Sequence, residues 1–167
     1  ERCFIYGESS YYLFIGELES PFGELMKYVI VYFSRYGNGK KLVEYLAGKL
    51  KEKNGAVQLF KVDEANPSAM PEADVYVFSA AAEAMSIQRD MKKFMKNLKG
   101  MDGKKYGIIN THGMKKDRLD KIEKILSKKK MVKVAEVAFH VEGDVQTGNG
   151  LMKGWEARLD EFAGKLG

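Results

Sequence analysis

Cysteine is almost absent from this chain. Cys3 is the single one among 167 residues, which excludes an internal disulfide and any metal site built from several thiolates. Proline is scarce as well, at Pro21, Pro67 and Pro71 only. No apolar run approaches the ~18–20 residues that span a bilayer. No basic region opens the chain, which argues against a signal peptide. These absences together lead to the expectation of a cytoplasmic protein. Histidine occurs twice and tryptophan once, so few residues of those types are on hand for catalysis or stacking.

What is present suits one soluble domain. Apolar residues make up 45% and charged residues 31%, enough to bury a core without staples. The net charge of +5 hides an asymmetry. Residues 1–25 hold Arg2 against Glu1, Glu8, Glu17, Glu19 and Glu24, leaving 27 of the 28 basic and 18 of the 23 acidic residues to the rest. Such a body suits a lysine-rich solvated surface, or attraction to nucleic acid, acidic lipid or an acidic protein. Lys128-Lys129-Lys130 and nearby lysines lack interleaved aromatics, so charge alone supports nucleic acid, and it is not expected as a partner. Nor is a membrane.

From Met26 onward, strand and helix patterns alternate. Apolar, β-rich runs occupy 27–33, 56–62, 75–79, 105–110 and 131–141. Helical periodicity covers 40–53, 87–98, 116–127 and 151–166. Pro67 and Pro71 make 63–74 a loop, 100–103 forms a turn, and 142–150 is a glycine-rich loop. Three strands are nearly continuous apolar runs, as in a parallel sheet covered on both faces. The alternation predicts an α/β fold, an open doubly wound five-stranded parallel sheet of order 2-1-3-4-5. Residues 1–25 fall outside this rhythm. They read as a hairpin extension or as an artefact of how the chain was delimited, with the domain spanning 26–167.

In such a sheet, ligands bind beyond the carboxyl ends of the strands, where strand order reverses. Three loops lie there. The first is Ser34-Arg35-Tyr36-Gly37-Asn38-Gly39-Lys40. Its glycines let backbone amides approach a ligand, and the helix start that follows favours a phosphate. Ser34 and Asn38 can add side-chain hydrogen bonds, and Arg35 or Lys40 positive charge. Neither a GxxxxGK[ST] nor a GxGxxG motif is present, and no acidic cluster ends the first strand to hold magnesium. The second loop runs Ala80-Ala81-Ala82-Glu83-Ala84-Met85-Ser86, where Ser86 reads as a helix N-cap. The third is Thr111-His112-Gly113-Met114. His112 there is a ring-stacking candidate or a plain exposed histidine. His140 in the fifth strand and Trp155 on its helical stripe read as structural.

Residues 27–46, KYVIVYFSRYGNGKKLVEYL, resemble the opening of flavodoxin-family domains, whose phosphate loop reads roughly S/T-x-T/Y-G-N-T. Ser34, Tyr36, Gly37 and Asn38 match, whereas Gly39 or Lys40 stands where the family closes on threonine. Flavodoxins are among the examples behind the rule on ligand position. The likeness extends over about 140 residues, at the length of the short-chain form. It implies FMN, with its phosphate at 34–40 and its rings against Ala80 to Ala84 and Thr111 to Gly113. It also implies electron transfer with a partner protein, by a monomer or homodimer, as a carrier more than an enzyme with its own catalytic residues. The S-x-Y-G start is similar to NAD(P)H quinone reductases of the same fold, and a flavin-free scaffold is the third possibility. Two features depart from the family. The second loop lacks the usual proline, aromatic and glycine, and the body is basic where typical flavodoxins are acidic. With no Gly, Asn or Asp in 80–86, a positive φ there costs about 1–2 kcal/mol. The expectation is therefore reduction closer to a two-electron step.

Overall fold

A computed structural model describes residues 25–83 and 85–167. The extension proposed for residues 1–25 lies almost wholly outside them, as does Ala84. Five long strands form one parallel sheet: β1 (Lys27–Tyr32), β2 (Ala56–Lys61), β3 (Val75–Glu83), β5 (Lys105–His112) and β6 (Val132–His140). Their spatial order is β2-β1-β3-β5-β6, so the long strands follow the predicted 2-1-3-4-5. A sixth, very short strand, β4 (Ser86–Ile87), pairs antiparallel with the end of β3.

The central strands β1, β3 and β5 are buried on both faces because each alternates its side chains between two cores, while the edge strands β2 and β6 are only partly covered. In β1, Tyr28, Ile30 and Tyr32 join one cluster while Val29 and Val31 join the other. The first cluster is closed by α1 (Asn38–Glu52) and α4 (Trp155–Leu166), through Leu42, Leu46, Leu50, Leu159 and Phe162. The second is closed by α2 (Arg89–Asn97) and α3 (Leu119–Ser127), through Met91, Met95, Ile122 and Leu126. Gly107 lets α4 sit close to the sheet. A β-carbon there would lie 2.8 Å from Leu166 Cδ2 and 2.9 Å from Phe162 Cζ.

Several boundaries differ from the sequence reading. The third strand continues through Ala80, Ala81 and Ala82 to Glu83, because the hairpin with β4 supplies partners for its end. Ser86 is therefore a strand residue, not a cap. Gln88 caps α2 instead, its Oε1 accepting from Met91 N at 2.8 Å. The third helix starts at Leu119 rather than at 116, after Asn110 Oδ1 accepts from Arg118 N at 2.9 Å. Leu151 bridges back to Val141, so α4 starts at Trp155. Trp155 packs edge-on against Tyr45 of α1, with ring centroids 5.1 Å apart. No helix among the described residues is long and apolar enough to cross a membrane.

Candidate functional site

The carboxyl ends of β1, β3 and β5 meet around a cleft of about 220 Å³. Its first wall is the β1–α1 loop. Gly37 precedes α1 at φ +96°, a left-handed conformation that suits glycine. Among the described residues no side chain caps the helix, and no acidic residue occupies its first turn. The first amides thus present unpaired N–H groups and partial positive charge. Ser34 folds beneath them, its Oγ accepting from Gly37 N at 3.1 Å, which leaves its hydroxyl proton free to donate. Gly39 is needed for this tight fold, since a β-carbon there would meet Phe33 O at 3.1 Å and Ser34 at 3.5 Å.

Asn38 has a task the sequence did not show. It is buried; its Nδ2 donates to Val145 O at 2.8 Å and its Oδ1 accepts from Gly150 N at 2.9 Å. The side chain thus staples the first loop to the loop after β6, and the backbone of Asn38 is what remains for a ligand. Gly148 completes the seam at φ +78°, where a β-carbon would come within 2.8 Å of Tyr36 O. Lys41 Nζ also donates to Asn149 Oδ1 at 3.1 Å. The glycine-rich pattern of 142–150 was the available sequence signal, because glycines at a close backbone approach leave no room for side chains.

The cationic side chains of the first loop are already paired. Arg35 Nη2 lies 2.9 Å from Glu83 Oε1, linking the first loop to the second. Lys40 Nζ lies 3.5 Å from Glu44 Oε1 along the exposed face of α1. The second wall is the end of β3, where Ala82 and Glu83 face the cleft. Ala80 is buried beneath it, and its carbonyl accepts from Asn110 Nδ2 at 2.7 Å. The Ala81 carbonyl accepts from Gln88 N at 2.9 Å. Met85 takes φ +62°, so the loop does hold a left-handed residue, one that carries a β-carbon.

Thr111, His112 and Gly113 form the third wall. His112 Nδ1 pairs with Met114 O at 2.8 Å. Its ring stands edge-on to His140 at 5.3 Å, and His140 Nε2 lies 3.5 Å from Glu142 Oε2. His140 therefore supports the rim of the site. Phe33, Val141 and Val145 also line the cleft and carried no sequence signal. Asn110, fully buried, joins β5 to β3 and holds the end of the 113–118 segment where α3 begins. A larger cavity of about 460 Å³ lies between the end of β1 and α2, sharing Phe33 and Ser34 with the cleft. The uncapped helix end belongs to the smaller cleft, which makes that one the anion-binding candidate.

A family model described as Flavodoxin domain matches residues 29–149. The chain belongs to the flavodoxin family. Its membership makes it a flavoprotein-type domain of electron transport. No curated protein sequence matches it significantly. Among solved structures it is similar to rubredoxin oxygen:oxidoreductase from the anaerobe Desulfovibrio gigas, at 16% identity and a TM-score of 0.71. That match covers 84% of this chain and 35% of the other, so the flavodoxin-like chain spans about a third of that protein. It is also similar to a flavodoxin from the domain Archaea, at 20% identity and TM-score 0.64, over 84% of this chain and 99% of that one. Two-electron reduced flavodoxin from Megasphaera elsdenii matches at 14% identity and TM-score 0.67, over 83% and 97%. At these identities the likeness is one of fold.

Proposed function

We propose that this flavodoxin-family chain binds FMN in the cleft between the first, second and third loops and works in electron transfer. The observation that carries the reading is the uncapped start of α1, with Gly37, Gly39 and the Ser34 hydroxyl gathered beneath it. That donor set fits a phosphate monoester: backbone amides, one hydroxyl, a helix end and no nearby carboxylate in the first turn. Bound FMN would supply an isoalloxazine ring that accepts and returns electrons.

The protein's own residues would hold and orient it. Backbone amides of Asn38, Gly39 and Lys40, with Ser34, would hold the phosphate. Ala82 and Glu83 would face one side of the cofactor, and Thr111, His112 and Gly113 another. The small side chains of Ala82 and Gly113 leave room for a flat ring. The Ala80, Ala81 and Met85 carbonyls already accept hydrogen bonds, the last from Lys121 Nζ at 2.6 Å. None is free to turn towards a flavin nitrogen without losing a partner, which supports reduction close to a two-electron step. Stepwise dithionite reduction followed by absorbance tests this point, and a large one-electron band at half reduction contradicts it.

FMN fluorescence should be quenched on titration with the apoprotein, and FMN should bind at least about tenfold more tightly than riboflavin. That ratio corresponds to ~1.4 kcal/mol, well within the reach of charge-assisted hydrogen bonds. Equal affinities would remove the first loop from the phosphate site. Absence of quenching at micromolar protein would sink the FMN reading as a whole.

A further inference from the structure

A second concave surface lies on the far side of the β3–β4 hairpin from the cleft. It is a groove of about 550 Å³ between α2 and α3. Its sides carry Lys92 and Lys96 from α2, and Lys121, Lys124, Lys128 and Lys129 from α3 and the turn after it. Among the described residues no carboxylate lines it. Among the described residues, none of these six lysines forms an ion pair, whereas nearby Lys130 and Lys133 reach Asp102 at 3.2 Å and Glu123 at 2.9 Å.

The segregation follows from helix spacing. On α3 and its C-cap, Lys121, Lys124 and Lys128 fall at i, i+3 and i+7 and share a face, while Asp120 and Glu123 turn to Lys116 and Lys133. On α2, Lys92 and Lys96 are four residues apart. Like charges at that spacing oppose helix formation, and the fold gains no compensating pair from them. Nearby, Ile87 and Ile125 give the groove an apolar component.

We infer that this groove docks an acidic redox protein, a proposal that rests on the electron-transfer reading above. The hairpin supplies the connection. Ala82 and Glu83 line the cleft, and the returning strand, Ser86 and Ile87, lines the groove. Lys92 Nζ donates to Ser86 Oγ at 3.3 Å and Lys121 Nζ to the Met85 carbonyl at 2.6 Å, which fixes the hairpin against the groove. Met85 at its tip is 67% exposed. A protein seated among the lysines rests against the same two-stranded unit that walls the cleft. A concentration of one charge sign also steers an oppositely charged partner to that spot and raises its on-rate. Among the described residues the lining offers no aromatic ring or arginine for base stacking, and the surface is concave, so neither a single-stranded nucleic acid nor a lipid bilayer fits it as well.

The test uses the full chain loaded with FMN and reduced by dithionite. A small, strongly acidic iron–sulfur ferredoxin serves as the probe: two oxidised clusters accept one electron each in successive encounters, and the fully reduced flavin returns to its oxidised form with its protons released to solvent. The bimolecular rate is measured at low salt for the unaltered protein and two triple variants of equal net charge. Lys96→Glu, Lys124→Glu, Lys128→Glu should slow transfer roughly tenfold or more and flatten its salt dependence. Lys51→Glu, Lys53→Glu, Lys105→Glu should change it less than about twofold by the same reasoning. Equal slowing of both variants, or of neither, overturns the proposal. Circular dichroism and flavin content of both variants come first; if the groove variant is misfolded, Lys124→Gln, Lys128→Gln replaces it and is compared with Lys51→Gln, Lys53→Gln.

A chain that takes up no FMN defeats the electron-transfer reading without deciding the docking surface. Amide shifts at Ile87 and Ile125 on titration with the ferredoxin then decide it: shifts confined to the groove uphold it, and their absence overturns it. Stronger shifts with a single-stranded oligonucleotide overturn it in favour of nucleic acid. No shift at Ile87 and Ile125 with ferredoxin, but shifts there on Glu17→Gln, Glu19→Gln, Glu24→Gln alone, overturns it in favour of the chain's own acidic first residues.

Discussion

Glu83 and Arg35 form a partly exposed pair across the mouth of the cleft. Pairs of this exposure contribute about 0–1 kcal/mol, so Glu83→Gln should leave the unfolding midpoint almost unchanged. The same substitution removes a negative charge from the wall of the proposed phosphate site and frees the Arg35 guanidinium. FMN affinity should then rise about three- to tenfold, on Coulombic grounds, with riboflavin affinity unchanged; a fluorescence titration of both ligands checks this. Met85 offers a test of stability. It sits at φ +62° and is largely exposed, so glycine there loses little packing and relieves the clash of the β-carbon. Met85→Gly should raise stability by about 0.5–1 kcal/mol in a denaturant titration. The residues that organise the cleft were only half legible in the sequence. Ser34, Gly37 and Gly39 stood out because glycines and a hydroxyl between a strand and a helix have few other uses. The staple formed by Asn38 was hidden, because its partners lie more than a hundred residues along the chain.

At the scale of elements, buried strands and amphipathic helices were readable because each obeys a local period. The two leucine-rich turns of α1 and the apolar run of β1 are examples. The hairpin of β3 and β4 was not readable. Its turn carries neither Asn-Gly nor Asp-Gly, and a string of alanines gives no period to recognise. Helix starts were misplaced where an uncommon residue caps, as Gln88 does at α2, or where the cap comes from another element, as Asn110 of β5 does at α3. Gly107 shows how one strand residue sets the place of a whole helix. Gly107→Ala would press a methyl group onto Phe162 and Leu166 and drive α4 outward. The expected cost is about 1–3 kcal/mol, read as a fall of several degrees in Tm, with secondary structure retained by circular dichroism.

For the whole molecule, three tyrosines buried in the two cores set an upper pH limit. Burial raises the phenol pKa of Tyr28, Tyr76 and Tyr106 above the ordinary value of about 10. Nearby carboxylates add to it: Asp74 at Tyr28, Glu72 and Asp74 at Tyr76, and Glu123 and Glu136 at Tyr106. At Tyr76 the hydrogen bond from Ala73 N and the Lys104 charge work in the opposite direction, as does Lys133 at Tyr106. In the unfolded chain these phenols ionise near pH 10, while in the folded protein they stay protonated longer. The native state then binds more protons, so stability falls as pH rises. These groups should leave stability flat between neutrality and about pH 9 and lower it steadily above about pH 10. Thermal unfolding across that range, with tyrosinate absorbance followed alongside, measures the effect. A midpoint that held steady while the tyrosines ionised would contradict it.

The Asn38 staple also orders events in time. Its partners, Val145 and Gly150, lie 107 and 112 residues away in sequence. A contact over that distance forms only after the intervening strands have assembled, because its loop-closure entropy must first be offset by other contacts. The ligand cradle is thus among the late products of folding, although its glycine motif lies near the front of the domain. A ribosome-bound chain that has not yet exposed Gly150 would hold the motif without the cradle. On the FMN reading proposed above, loading would wait for the last strand and loop, and the ligand would meet a finished protein instead of guiding an unfinished one.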